Sequence, residues 1–308
     1  MQLEMRPYQA EDDFWRIRNF LRQVFLLNGR RERSWHVARL DYWRWHFIEN
    51  CQICAPPERV TFIWETAAGQ IAAVLHPVAQ GEAFLHVHPG FRSAELEQEM
   101  MACGEERFAA RNPDGQRRLF ILADQDDPLR QQILTQRAYT PCGQPVHHWW
   151  RDLKGPLPDV PIAPGYIIRA MGDVDEFPAR SWASWRAFHP DDPDEDYEGW
   201  EWYRNIQSAP LYRRDLDMVA VAPAGEIAAF CTIWYDDVTR SAVCVLVGTA
   251  PEHQRRGLGK AVMVTGLRRL MRLGATRVFA NGYDPAANAL YGAVLGTQEL
   301  SQPWVKDF

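Results

Sequence analysis

The segment Val245-Leu-Val-Gly-Thr-Ala-Pro-Glu-His-Gln-Arg-Arg-Gly-Leu-Gly-Lys260 carries the clearest chemistry in the chain. Residues 242–247 form an apolar, β-branched run that reads as a buried strand. A short loop follows, and Gln254-Arg-Arg-Gly-Leu-Gly259 opens a helix. The first turn of a helix has N–H groups with no intrahelical partner. Gly257 and Gly259 remove the side chains that would hold a ligand off that backbone. The helix dipole adds partial positive charge at the same end. Such a start suits a phosphate or pyrophosphate.

Local charge agrees. Between 248 and 277 the bases are Arg255, Arg256, Lys260, Arg268, Arg269, Arg272 and Arg277, against the single acid Glu252, in a chain of formal net charge −6. Arg255, Arg256 and Lys260 adjoin the glycines and read as anion ligands. At about 100° per residue, Arg268, Arg269 and Arg272 share a narrow sector opposite most aliphatic side chains, the pattern of a solvated face. Two phosphate-loop patterns fail, which disfavours a nucleotide-binding module. No Lys-Ser or Lys-Thr follows the glycines at the Walker spacing, and the dinucleotide fingerprint lacks its first glycine.

Gln254-Arg-Arg-Gly-Leu-Gly259 resembles the Q/R-x-x-G-x-G/A acyl-CoA motif of the GNAT acyltransferase superfamily. Val247-Gly-Thr-Ala-Pro251 resembles that family's approach from strand to loop. Leu290-Tyr291 with Leu295-Gly296 resembles its late L-Y-x-x-x-G-F region, with one extra residue before the glycine. The resemblance implies direct acyl transfer from a CoA thioester to an acceptor, usually an amine. Acetyl-CoA or another acyl-CoA is the implied co-substrate, and no metal is implied. By the same resemblance, the backbone near Val247 and Thr249 holds the pantetheine arm. The motif Gln254, Arg255, Arg256, Gly257, Leu258, Gly259 and Lys260 holds the pyrophosphate through its amides. Asn288 reaches the CoA chain, and Tyr291 protonates the departing thiolate.

Two departures matter. Related sequences often carry a Glu on the strand before the Gly-Thr step, where this chain has Cys244-Val-Leu-Val247. The usual Asn seven residues before the Tyr is Asp284. An alkylamine acceptor needs a base, because its protonated form has no lone pair to attack with. Asp236, Asp237, Glu252 and His253 are nearby in sequence, and a water chain would also serve. The expected function is an acyl-CoA-dependent N-acyltransferase acting on an amine of a small molecule or peptide. The alternative is a catalytically inactive acyl-CoA-binding sensor or scaffold. The missing strand carboxylate favours that alternative, while Tyr291 and the intact loop favour the enzyme.

The elements that must position these groups alternate along the second half. Strands are expected at 165–169, 217–222, 226–235, 242–247 and 276–280, and helices at 257–273 and 285–294. Gly225 marks one turn, and Asp236-Asp237 fits a hairpin connection. The first half answers at matched positions. Arg6, Asp13 and Phe14 recur as Arg169, Glu176 and Phe177. Ala68-Gly-Gln-Ile-Ala-Ala73 recurs as Ala224-Gly-Glu-Ile-Ala-Ala229, and Asp127-Pro128 as Asp284-Pro285. The common order and nearly common offset read as a duplication. Four prolines between Lys154 and Gly165 exclude an ordinary helix or central strand there. The expected fold is α/β (α+β mixed), with tandem GNAT-like lobes, each a mixed, mostly antiparallel sheet flanked by helices. The expected boundaries are 1–152 for a degenerate lobe, 153–164 for a Pro-rich linker and 165–308 for the acyl-CoA-binding lobe. Such a chain is similar to tandem GNAT proteins of the mycothiol synthase kind.

At the loop position the first lobe reads His86-Val-His-Pro-Gly-Phe-Arg-Ser-Ala-Glu-Leu-Glu-Gln-Glu99, with no Gly-x-Gly. Glu95, Glu97 and Glu99 would repel a pyrophosphate at a helix start. The counterpart of Tyr291 is Leu134, so this lobe reads as a non-catalytic copy. His86 and His88 share one face of a strand, and Cys51-Gln-Ile-Cys54 is a lone CxxC. Zinc would need further ligands, so these read as structural histidines and ordinary thiols. Seven acids and no base occupy 191–201, flanked by Trp182, Trp185, Trp200, Trp202 and Tyr203. They read as a solvated loop beside a packed helix, or as a rim that favours a cationic acceptor.

Composition sets the outer bounds. Hydrophobic residues at 46% and charged residues at 24% give a globular balance, and 308 residues suggest two domains. Six cysteines are too sparse for a disulfide scaffold. No run approaches ~18 apolar residues, so no membrane helix is expected. The start Met1-Gln-Leu-Glu-Met-Arg lacks signal-peptide character, and a cytoplasmic location is expected. The acidic charge argues against nonspecific nucleic-acid binding. Monomer and homodimer both stay open.

Overall fold

The computed structural model describes residues 2–111 and 115–308. In chain order the strands are β1 (Leu3–Pro7), β2 (Phe62–Thr66), β3 (Ile71–His76), β4 (Glu82–Val87), β5 (Ala110–Arg111), β6 (Arg117–Asp124) and β7 (Thr140–Pro141). They continue as β8 (Val146–Asp152), β9 (Ile167–Ala170), β10 (Asp217–Val221), β11 (Ile227–Asp236), β12 (Ser241–Thr249), β13 (Arg277–Gly282) and β14 (Thr297–Asp307). The α-helices are α1 (Glu11–Leu27), α2 (Val37–Tyr42), α3 (Pro57–Val60), α4 (Ala94–Arg107) and α5 (Pro128–Gln136). After them come α6 (Phe177–Phe188), α7 (Glu201–Gln207), α8 (Leu258–Arg272) and α9 (Pro285–Val294).

The chain divides into two compact units, Met1–His147 with Glu299–Phe308, and His148–Gln298. In the first, β1, β2, β3 and β4 form an antiparallel meander, β6 adds parallel to β4, and β14 adds antiparallel to β6. In the second, β9, β10, β11 and β12 form the meander, β13 adds parallel to β12, and β8 lies beside β13. A parallel neighbour needs a crossover connection, supplied by α4 in one unit and α8 in the other. Each unit is therefore a mixed, mostly antiparallel sheet flanked by helices.

The repeat holds at the level of bonds. Arg6 pairs with Asp13 at 2.6 Å and Arg169 with Glu176 at 2.6 Å. Each carboxylate also accepts a backbone N–H four residues before it, from Gln9 at 2.9 Å and Gly172 at 2.8 Å. Asp127 and Asp284 each cap a helix that begins with proline.

The division differs from the boundaries expected from sequence. β8 precedes the proline-rich stretch, yet from His148 it lies in the second unit beside β13. β14 ends the chain, yet from Glu299 it lies in the first unit, paired with β6 from Ser301↔Asp124 to Asp307↔Arg118. Residues 153–164 belong to the second unit, where Leu157, Val160 and Ala163 pack against the core under α8. Open sheet edges leave ladder groups unpaired, and strand pairing decided the division more than chain order.

The second unit has a core on each side of its sheet. One includes Leu258, Val262 and Leu267 of α8 with Cys231, Cys244, Ala280 and Tyr291. The other includes Phe177, Ala183, Tyr203, Val219 and Phe230, beneath α6 and α7.

Candidate active site

β12 and β13 pair only near their starts, at Ser241↔Arg277, Ala242↔Val278 and Val243↔Phe279. Beyond Val243 the two strands run on to Thr249 and Gly282 without further pairing among the described residues. The cause lies in β12. Its register against β11 shifts between Cys231↔Val247 and Ile233↔Cys244. Within the extra residues Leu246 takes φ 65°, a left-handed conformation costly for a branched side chain. Such a bulge bends its strand. The half-buried stretch 245–249, with Val247 and Thr249, keeps β11 on one edge and leaves the other edge open.

The loop after β12 turns through Pro251–His253 and reaches α8 with two left-handed residues, Arg255 (φ 61°) and Gly257 (φ 76°). Gly257 is the N-cap of α8, and a Cβ there would meet open space, so its need for glycine is conformational. Left-handed residues in such a turn converge successive N–H groups into an anion-binding concavity. Among the described residues the amides from Arg255 to Lys260 have no hydrogen-bond acceptor. Arg255, Arg256 and Gly257 are exposed, Gly259 and Lys260 half-buried, and Leu258 packs into the core. The exposed Gln254 donates from Nε2 to the Thr249 carbonyl at 3.3 Å.

Two side chains hold this loop. Glu252 accepts from Arg186 of α6 at 2.7 Å, which keeps its carboxyl below the usual range. His253 lies between Tyr166, whose hydroxyl is 2.9 Å from Nδ1, and Glu226, 3.3 Å from Nε2. The Arg256 guanidinium stands 5.9 Å over the Tyr166 ring and 3.4 Å from the Glu252 carbonyl. Sequence spacing carried no signal for these partners, which come from other elements. Of the four groups near the loop in sequence, Glu252 and His253 are thus engaged. Asp236 is buried and accepts from Thr239, while Asp237 is exposed in its hairpin.

Tyr291 projects from α9 into the core that contains Cys231 and Cys244. It is 7% exposed, and its hydroxyl has no hydrogen-bond partner among the described residues. Burial, with smaller contributions from Cys231 and Cys244, raises its pKa well above the ordinary tyrosine value. Asp284 caps α9 by accepting from Ala286 and Ala287, each at 2.9 Å. The half-buried Asn288 accepts from Trp149 of β8.

In the first unit Leu134 is fully buried in the core. Ser93 caps α4, and the helix start is occupied by the chain's own ions. Arg92 and Arg130 pair with Glu97, and Arg92 also pairs with Asp127. His86 is bonded to His76 rather than to His88, with Nε2 atoms 2.9 Å apart. Cys51 and Cys54 are free thiols. Among the described residues no group of three or more His, Cys, Asp or Glu could hold a metal, and no helix is long and apolar enough to cross a membrane. Arg269 bonds the Asp215 carbonyl and Arg268 lies 3.9 Å from Asp159, both at the surface.

The mixed sheet with a gap between two parallel strands, and a bare helix start beside that gap, defines an acyltransferase-type fold. Residues 177–296 match the model of the Acetyltransferase (GNAT) family. The match lies wholly within the second unit, and the fold of the chain is that of two-lobed GNAT proteins. It is similar in structure to a GCN5-related N-acetyltransferase from Sphaerobacter thermophilus, at TM-score 0.65 and 16% identity over 99% of this chain and 95% of that one. It is also similar to a tandem GNAT protein from the clavulanic acid biosynthesis pathway, at TM-score 0.63 and 18% identity over 99% and 98%. A GNAT-family acetyltransferase from Colwellia psychrerythraea gives TM-score 0.61 at 12% identity over 98% and 100%. These likenesses concern the fold. A comparison with curated proteins found no match.

Proposed function

We propose that the second unit transfers an acyl group, acetyl in the first instance, from a CoA thioester to an amine of a small molecule or peptide by direct attack. The observation that carries this reading is the run of acceptor-free amides from Arg255 to Lys260 beside the gap between β12 and β13. The amides, with Arg255, Arg256 and Lys260, suit a pyrophosphate. The open edge of β12 at Val247 and Thr249 suits the amides of a pantetheine arm, because unpaired strand groups need partners. Bound acyl-CoA supplies an activated acyl carbon and a thiolate leaving group. Tyr291 is held protonated at neutral pH by burial and can give its proton to that thiolate. With Glu252 and His253 engaged elsewhere, a water serves as proton acceptor from the incoming amine.

The absence of a carboxylate in Cys244-Val-Leu-Val247 supports a second reading, an acyl-CoA-binding sensor or scaffold without turnover. Calorimetric titration with acetyl-CoA, against CoA and ATP, tests the shared part of both. Selective binding of CoA species is the expected result, and no binding by folded protein removes both readings. A panel of amines with acetyl-CoA then separates them, with Tyr291→Phe as the control.

A further inference from the structure

Trp149 and Asn288 lie far apart in the chain, and Trp149 falls outside the family-matched segment 177–296. In the second unit they meet. The indole N–H of Trp149 donates to Asn288 Oδ1 at 2.8 Å. An indole N–H can only donate, so the atom facing it must be the carboxamide oxygen. The amide end, Nδ2, has no acceptor among the described residues and is the end left for a ligand. The fit is close on two further sides. A Cβ on Gly282, at the end of β13, would collide with Asn288 Oδ1 and lie 3.4 Å from Trp149 Nε1. A Cβ on Gly292, next to Tyr291 in α9, would lie 3.1 Å from Trp149 Cη2.

We propose that Trp149 is a positioning residue for acyl-CoA: by holding the Asn288 oxygen it fixes that carboxamide as a hydrogen-bond donor to a carbonyl oxygen of the bound arm. The inference rests on the acyl-CoA reading of the second unit and adds to it a residue from before the proline-rich stretch. Without the indole N–H the carboxamide is free to flip and set oxygen against oxygen.

The test is a calorimetric titration of the full chain with CoA, which needs no acceptor. Asn288→Asp keeps an oxygen for the indole but removes the donor, so Kd should rise about tenfold with an unchanged unfolding midpoint. Trp149→Phe keeps an aromatic ring and frees the carboxamide, for a rise of about fivefold. Once the donor is absent its orientation no longer matters, so the double variant should bind no more weakly than Asn288→Asp alone. Gly282→Ala displaces the carboxamide without removing either group and should weaken binding to a similar degree. Additive losses in the double variant would assign Trp149 a merely structural role and overturn the proposal. Wild-type affinity in every variant overturns it while leaving the acyl-CoA reading intact. Failure of the wild type to bind CoA overturns both.

Discussion

Glu97 accepts from Arg130 at 2.9 Å at the start of α4, with the carboxylate fully buried and the guanidinium nearly so. Burial alone would raise the pKa of Glu97, but Arg130 and Arg92 outweigh it and hold the carboxyl below its usual range. The first unit thus carries an internal anion at the position where the second presents empty amides. Removing one partner of a buried pair typically costs about 3–5 kcal/mol. Glu97→Gln should therefore lower stability by that order in urea titration. The intact chain should bind one CoA, and calorimetry showing two would contradict the assignment of the first unit as a non-binding copy.

Arg256→Glu should weaken CoA binding by about 2–3 kcal/mol, from a lost charge-assisted bond plus repulsion. Its modest contacts, with the Glu252 carbonyl and the Tyr166 ring, predict an unchanged unfolding curve. Unaltered affinity in the folded variant would remove Arg256 from the site.

Gly257→Ala probes the loop backbone alone. The added methyl meets nothing within 4 Å, so its effect is the cost of a left-handed alanine, about 1–2 kcal/mol. Either the loop keeps its shape and the protein is destabilised by that amount, or the loop relaxes and CoA affinity falls. A variant matching wild type in both denaturant titration and calorimetry would show that the conformation is not needed.

Once an acceptor is found, Tyr291→Phe should lower kcat by about 10²-fold or more and leave CoA affinity nearly unchanged. The raised phenol pKa means the acid is intact at neutral pH and is lost only on the alkaline side, above the ordinary value of about 10. A fall in kcat beginning near pH 8 and unchanged in Tyr291→Phe would have another origin.

Stability should decline on mild acidification because of His76 and His86. His86 accepts from the Trp35 amide, the two rings share a hydrogen bond, and His76 bonds the Pro77 carbonyl. Burial lowers the pKa of His76 to about 4 and that of His86 well below its ordinary value. The folded state keeps both rings neutral, while the unfolded chain takes up protons below about pH 6.5. Their contribution is complete above that pH and is lost as pH falls toward 4, by up to about 1.4 kcal/mol per pH unit for each ring. Urea midpoints at pH 7, 6 and 5 check the slope. A flat profile would mean that the pair relaxes at little cost.

Local pattern made much of the second unit legible. The helix expected at 285–294 forms as Pro285–Val294, and the one expected at 257–273 as Leu258–Arg272. Both begin with strong cues, proline after a capping Asp284 and left-handed Gly257. The strand expected at 242–247 forms but extends to Thr249, because the bulge at Leu246 lets an irregular stretch keep its ladder with β11. The turn from β12 into α8 was legible because consecutive residues build it. The pins Arg186 and Tyr166 were not, nor was Trp149, since each meets its partner from a distant element. The histidines show the same limit: alternation put His86 with His88, whereas the bond runs across strands to His76. The unit boundaries were missed because proline density marks where a chain is irregular, not which sheet its flanking strands join.

The last residues of the chain complete the first unit, where β14 pairs with β6 across some 180 residues of sequence (Ser301↔Asp124, for example). During synthesis the first unit must therefore wait, with one edge of β6 unmated, until Ser301–Asp307 have emerged from the ribosome. Contacts so distant in sequence form late and slowly. The second unit can assemble in that interval, because β8 and β13 have both emerged by then. Loss of Ser301–Asp307 would consequently injure the unit whose other strands were made first.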